Sequence, residues 1–393
     1  MSVAAALERL LGRLPLGWLQ LAHNRVRFLA ALAGVAFAGI LVLMQLGFMG
    51  ALIASVRLPY EHMNADIVVS AADMNTLADG APVPRQRMYE ALAVEGVAAA
   101  TPLYFGKIEW RQPDGTIRTL DTFGVDPAAR PFRTPGIEAR RGELALADTA
   151  LMDARTRNAP KGLFKRIADG ETYRFEARNR TLTVAGLFEL GGGFVTDGYL
   201  IVSDQTFLRL FPQRAPGAPN HILLALAPGA DLATTLARLR AALPAYDVAA
   251  RSVPEAIARE QAYQTTQRPV GVVFGFGVVI GAMVGVIIVY QVLSTDVADH
   301  IKEYATFKAI GYPQRFFLGV VFEEAFVLAI LGFLPGLVVS LGLYKLVATV
   351  TGLPIAMTAG RALAVFLGTL AMCALSGAIA TRKLARADPA DLF

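Results

Sequence analysis

Two adjacent carboxylates, Glu323 and Glu324, fall early in an apolar run that begins near Phe316. An ionisable group at membrane depth is costly, so it defaults to a functional reading: an ion pair or coupling element, a proton relay, or plain interfacial exposure. Both lie within about two turns of the charged end of the run, where snorkelling is cheap, and the ion-pair or coupling role is preferred. The other reactive side chains lead to no catalytic set. The four histidines, His23, His62, His221 and His300, are scattered, and none sits in an H-E-x-x-H pattern. The lone Cys373 lies in an apolar run, which excludes an intrachain disulfide and a cysteine metal site. There is no G-x-x-x-x-G-K-[ST] to cradle ATP and no G-x-S-x-G nucleophile turn. Gly191-Gly192-Gly193 leads through Phe194–Gly198 into the strand-like YLIVS, not into a helix, so it reads as a β-loop with Asp197 as a turn residue. The chain is expected to be a non-enzyme with no cofactor, metal or catalytic residue of its own.

The elements around these residues are membrane spans. At 54% hydrophobic content and a mean hydropathy of +0.47, the 393-residue chain is too apolar for an ordinary soluble protein and too mixed for a many-span transporter. The net charge of +5 comes from Lys and Arg flanking the apolar runs, with no basic stripe suited to nucleic acid. Four transmembrane helices are predicted, at 28–56, 270–293, 317–350 and 362–381. An interfacial amphipathic helix is expected over 1–27, with Trp18 as an aromatic anchor. The first span is too long for a signal peptide and is read as retained. Basic residues before it, between the second and third spans (Lys302, Lys308, Arg315) and in the 382–393 tail place both termini and the 294–316 segment in the cytoplasm. The 351–361 connection, nearly without charge, and the long 57–269 segment then fall on the outer side.

Within 294–316, Val297, Ile301, Tyr304, Phe307, Lys308 and Gly311 recur at three or four residues, while Asp299, Lys302 and Glu303 fall elsewhere. This predicts an amphipathic helix lying on the membrane surface, where a soluble partner could push. In the second span Gly277, Gly281 and Gly285 form a small-residue stripe, read either as a dimer or moving interface or as packing within one subunit. Gln45 is the one strongly polar side chain of the first span, and Pro335 is expected to kink the third.

The outer segment reads as an α+β domain. Strand, helix and strand are predicted over 65–71, 84–96 and 97–110, and again over 221–227, 230–243 and 245–251. Together these make a split βαβ unit from about 57–110 and 217–269, interrupted by a β-rich insertion over about 111–216.

Glu303, Lys308-Ala309-Ile310-Gly311 and the run Phe317–Ala325 (FLGVVFEEA) resemble the permease signature shared by FtsX, the lipoprotein-release permeases and the macrolide exporter MacB. Tyr304 and Ala305 replace the Ile-Gly usual in it, which marks a variant branch. LPLGWLQLAHNRVRFLAALAGVAFAGILVLMQLGF (14–48), GLFELGGGFVTDGYLIVSDQTFLRLFP (186–212), IVYQVLSTDVADHIKEYATFKAIGY (288–312) and ADPADLF (387–393) resemble DevC, the permease type of the heterocyst glycolipid exporter. The resemblance covers nearly the whole chain. It implies a four-helix inner-membrane permease with a MacB-like periplasmic domain, working as a homodimer in a tripartite ABC exporter. The implied partners are a cytoplasmic ABC ATPase of the DevA/MacB kind that binds ATP and Mg, a DevB-like periplasmic adaptor and a TolC-like outer-membrane channel. The implied cargo is a lipid, glycolipid or other amphiphile, moved by mechanotransmission. Two alternatives share the signature: an FtsX-like regulator of a periplasmic cell-wall hydrolase, and a lipoprotein-release permease.

Overall fold

The computed structural model describes residues 16–386, apart from Lys302, Tyr304, Ala305, Lys308 and Ala309. Most of the expected 1–27 helix, Tyr304 and Lys308 of the predicted coupling face, and the ADPADLF tail lie outside the described residues. In chain order the elements are α1 (Leu16–His23), α2 (Arg25–His62), β1 (Ile67–Ala71), α3 (Gln86–Leu92), β2 (Val97–Arg111), β3 (Ile117–Val125), α4 (Pro135–Arg140), β4 (Thr149–Asp153), α5 (Leu163–Ala168), β5 (Tyr173–Ala177), β6 (Arg180–Phe188), β7 (Gly198–Ser203), α6 (Asp204–Leu210), β8 (His221–Leu226), α7 (Leu232–Ala242), β9 (Val248–Ser252), α8 (Val253–Thr266), α9 (Pro269–Asp299), α10 (Gln314–Thr351) and α11 (Ala359–Arg386). The chain divides into two compact units, one from the segments 1–50, 272–347 and 355–393, the other from 51–271 with 348–354.

In the helical unit, α2, α9, α10 and α11 supply four helices long and apolar enough to cross a membrane. Their ends are set by local chemistry. Asn24 separates α1 from α2 and accepts from the Arg27 amide at 3.2 Å, a side-chain cap on an otherwise orphaned donor. Pro269 begins α9, where its missing N–H costs nothing. The helices meet through small residues. Gly34 of α2 abuts Ile288 of α9, and Gly332 and Gly336 of α10 abut Val35 and Ala36 of α2. Leu21, Val35, Val289, Leu293, Phe317, Val321, Leu328 and Cys373 form the shared core. The outward side of α9 is apolar as well (Val273, Phe276, Ile280, Met283, Ile287), as expected of a helix facing hydrocarbon.

The second unit is built on one nine-stranded sheet in the order β5-β6-β4-β7-β3-β2-β8-β1-β9. The four strands at one end, β2-β8-β1-β9, are all antiparallel and come from the two segments that flank the insertion. The insertion's strands do not close on themselves as a separate lobe. β2 is long enough to serve twice: its first half pairs with β8 and its second half with β3, so the insertion extends the same sheet. Within the insertion, β3 with β7 and β4 with β6 are parallel pairs.

Alternation along β1 explains why both faces are covered. Ile67, Val69 and Ala71 join Met88 and Ala91 of α3 and Leu236 and Leu239 of α7. Val68 points to the opposite core with Tyr60, Met63, Phe105, Phe123 and Ala256 of α8. α8 is started by a capping box, Ser252 Oγ accepting from the Glu255 amide and Glu255 Oε2 accepting from the Ser252 amide. His221 is wholly buried between Ser70 Oγ (2.9 Å) and the Leu77 carbonyl (2.8 Å), and burial pushes its pKa down to about 4.

Two strand glycines have a packing reason. A Cβ on Gly124 would run into Phe207 of α6, and one on Gly106 would run into the ring of Phe211, whose stacked partner is Phe207 at 4.3 Å. Gly124→Val is therefore expected to destabilise this unit by roughly 1–3 kcal/mol through overpacking. Gly142→Ala, at a position with open space, should change little. Thermal unfolding of the full chain, with proteolysis to localise the loss, checks both.

Candidate functional site

The segment between α9 and α10 is shorter and differently faced than the spacing predicts. Val297 belongs to the last turn of α9 and is buried in the helical core, so it cannot be part of a surface presented to a partner. The chain turns at His300, whose Nδ1 bonds the Asp296 carbonyl at 3.0 Å, and helix resumes at Ile301. Ile301 and Phe307 pack inward, Phe307 against Phe316 at 6.2 Å. Glu303, Thr306 and Ile310 are exposed, Ile310 most of all. A helical spacing thus marks the inner face, and the face available to a partner is the opposite one, with Glu303 on it.

Gly311 ends this helix. It takes φ +101°, open to glycine, and the amide of Tyr312 reaches back to the Phe307 carbonyl at 3.1 Å. That is the wide bond of a Schellman stop, and the accompanying apolar contact is the Tyr312 ring on Phe307 at 5.5 Å. Gly311 thus serves to stop the helix.

Glu323 and Glu324 do not snorkel to the surface, because α1 covers them. Glu323 Oε1 accepts from the Trp18 amide at 3.4 Å. Gly17 lies so close to α10 that a Cβ there would touch the Val320 carbonyl and Glu324 Cγ. Trp18, expected as an interfacial anchor, packs edge-on against Phe28 at 5.8 Å. Glu324 is completely buried with neither oxygen hydrogen-bonded, and no described basic side chain pairs with it. Its charged neighbour is Asp296.

Asp296 is the residue that reading the sequence missed. It is buried, with Arg27 at 3.7 Å and His300 Nδ1 at 3.7 Å, while Arg27 also pairs with Asp299 at 2.5 Å. One guanidinium therefore ties the start of α2 to the end of α9 beside the α10 carboxylate. The only available signal was the Asp296–Asp299 spacing, which places both on one side of a helix. Their partner lies far away in sequence.

Gly277, Gly281 and Gly285 face α2 of the same chain, against Gln45, Val42 and Ala38 respectively, with Met372 of α11 also at Gly285. Of the two readings of this stripe, the geometry matches packing within the subunit. Gln45 rests on Gly277, and its Oε1 is buried without a hydrogen bond. The glycine loop at 191–193 is tied to protein groups: the amides of Leu190 and Gly191 donate to Asp153 (3.0 and 2.7 Å), and Asp197 accepts from the Thr119 amide and Arg157. Among the described residues no three His, Cys, Asp or Glu side chains are grouped as a metal site.

A family model described as MacB-like periplasmic core domain matches residues 28–242, more than half of the chain, and one described as FtsX-like permease C-terminal matches residues 275–389. The chain belongs to the FtsX/MacB superfamily. It is thus a membrane permease subunit with a periplasmic domain, of a family that implies partnership with an ABC ATPase. Among solved structures it is similar to the extracellular domain of the noncanonic ABC-type transporter YknZ from Gram-positive bacteria, at 10% identity and a TM-score of 0.33, over 45% of this chain and 91% of that one. It is also similar to the periplasmic region of MacB from Actinobacillus actinomycetemcomitans, at 9% identity and a TM-score of 0.32, over 49% and 91%. No curated protein matches it.

In this permease, Arg27→Ala should cost roughly 1–3 kcal/mol, below the full penalty for orphaning a buried charge because Arg27 is partly exposed. Adding Asp296→Asn should restore most of the loss. Melting temperatures of the two single variants and the double variant in detergent check this cycle.

Proposed function

We propose that this permease serves an ATP-driven tripartite exporter of the DevC type, moving a lipid, glycolipid or other amphiphile outward by mechanotransmission. The observation that carries this reading is the joining, in one chain, of the MacB-like periplasmic core match to the FtsX-like permease match, with the turn-bounded 301–311 segment between α9 and α10. In this reading two copies form a homodimer with both termini cytoplasmic. An ABC ATPase binds ATP and Mg and presses on the Glu303 and Ile310 face. A periplasmic adaptor and a TolC-like outer-membrane channel receive the cargo. The antiparallel quartet β2-β8-β1-β9 with α3 and α7 is the split βαβ porter unit. The chain itself contributes no catalytic residue and no cofactor, and the sparse polar lining of the four helices fits a cargo that does not pass between them.

Affinity purification of the tagged permease in mild detergent, with mass identification of its companions, tests the assembly. A cytoplasmic ATPase with a periplasmic adaptor is the expected result, and recovery of an ATPase with a cell-wall hydrolase instead would overturn it.

The revised coupling face gives a sharper expectation. Glu303→Ala and Ile310→Asp should abolish coupling between ATP hydrolysis and export while leaving the melting temperature within about 1 °C, since surface changes of this kind are within about 0.5 kcal/mol. Phe307→Ala, an inner position, should instead lower the melting temperature.

A further inference from the structure

A cavity of about 480 Å³ lies within the sheet unit, in the size range of small-molecule sites. Its lining is mixed: Leu52 and Val56 of α2, Phe105 of β2, and Phe194 and Val195 of the loop before β7 supply apolar walls, and Asp79, Lys107, Gln264 and Arg268 line it as well. Two buried carboxyl groups, Glu260 of α8 and Asp121 of β3, open into it.

These two groups differ in how they are compensated. Asp121 stands opposite Lys107 in the β2–β3 register, and Lys107 Nζ forms an ion pair with its Oδ1 at 3.5 Å. Glu260 pairs with no described cation. Its Oε2 accepts from the Tyr60 hydroxyl at 2.8 Å and the Leu77 amide at 2.9 Å, and no described residue donates to Oε1. The charges nearest to it, Asp79 and Asp121, are both negative. Arg268, at the cavity's edge, stacks its guanidinium over Tyr263 at 5.3 Å and forms no ion pair with Glu260. Of the two buried carboxyl groups, Glu260 is therefore the one with an unused acceptor and no paired cation, nearest to negative charges in a cavity that also has apolar walls.

We propose that this cavity binds an amphiphilic cation, its ammonium group held by Glu260 in the field of Asp121 and its apolar body against Phe105, Phe194 and Val195. An anionic head would meet three carboxylates, Asp79, Asp121 and Glu260, against two cations, of which Lys107 is already paired with Asp121 and Arg268 is stacked on Tyr263. A neutral hydroxyl could bond Oε1 but would leave the field uncompensated, whereas an ammonium satisfies both the acceptor and the charge. Burial supports this independently, since it pushes Glu260 up to about 7 and Asp121 up to about 6. A carboxyl raised in this way stays protonated through the ordinary carboxylate range, at a cost that grows from there up to about 7, and is ionised above that. A bound ammonium offsets that cost, so affinity must rise with pH across this window. The groups facing Glu260 in this respect are Tyr60, Tyr199, Asp79, Asp121 with Lys107, Arg268 in the cavity lining, and Arg251 by way of Tyr60. The inference concerns ligand binding by the periplasmic domain and stands apart from the transport reading.

The test uses the full chain in lipid nanodiscs, titrated with 4-phenylbutylamine and its uncharged counterpart 4-phenylbutan-1-ol, with empty nanodiscs as the reference. Neither measurement needs an ATPase, so failure here leaves the transport reading standing and the converse also holds. The amine is expected to bind about tenfold or more tightly than the alcohol, the worth of one charge-assisted hydrogen bond. Its affinity should increase from about pH 6 to about pH 8, the window set by the raised carboxyl group. Glu260→Gln, whose amide oxygen can still accept from Tyr60 and Leu77, should remove both the preference and the pH dependence. Asp121→Asn should weaken the amine by a smaller factor. Equal binding of amine and alcohol, no binding of the amine, or an amine affinity unchanged in both variants overturns the proposal.

Discussion

Hydrocarbon cannot hydrogen-bond, and the helical unit is arranged around that constraint. Backbone groups in such a solvent must be satisfied within each segment, which leaves four long helices as the means of crossing. Side chains that carry charge must then find company at the ends of those helices. Arg27 does this for Asp296 and Asp299, and α1 does it for Glu323 by laying the Trp18 amide against it. Gly17 is what allows α1 to come close enough. The carboxylates, the covering helix and the turn at His300 are thus one connected arrangement.

The sheet unit answers a different problem. A sheet with nine strands exposes two wide faces, and each must be covered. α3 and α7 cover one side of the β1 end, α8 and the residues around Tyr60 cover the other, and α6 seals the insertion through Phe207 and Phe211. The long β2 makes the insertion continuous with the rest, so the unit has linked cores on one sheet. The cavity with Glu260 lies between α8 and the loop before β7. Its polar groups come from elements that are structural elsewhere along their length.

Much of the architecture was legible in the chain. Span-length apolar runs, a charged interval between the second and third of them, and paired strand-helix-strand patterns at either side of a β-rich stretch are local signals, written in consecutive residues. The coupling segment shows where local signals stop. Val297 falls on the same spacing as Ile301, yet the helix breaks at His300 and Val297 is buried in α9. Periodicity marks a face without saying which side of it meets the core. Gly332 and Gly336 likewise carry a four-residue spacing that could have been noted, and the structure shows what it is for.

Composition and periodicity determined the membrane class, the four candidate spans and the mixed helix-and-sheet character of the rest, because burial of apolar surface and backbone hydrogen bonding act on neighbouring residues. Only the tertiary structure decided that Arg27 answers Asp296, that α1 hides Glu323 and Glu324, and that the glycines of α9 pack on α2. It also decided that Glu260 stands in a cavity with no described cation paired to it. Each of these depends on which distant side chains share a low-dielectric space, and a charge's energy is set by that company and not by its place in the chain.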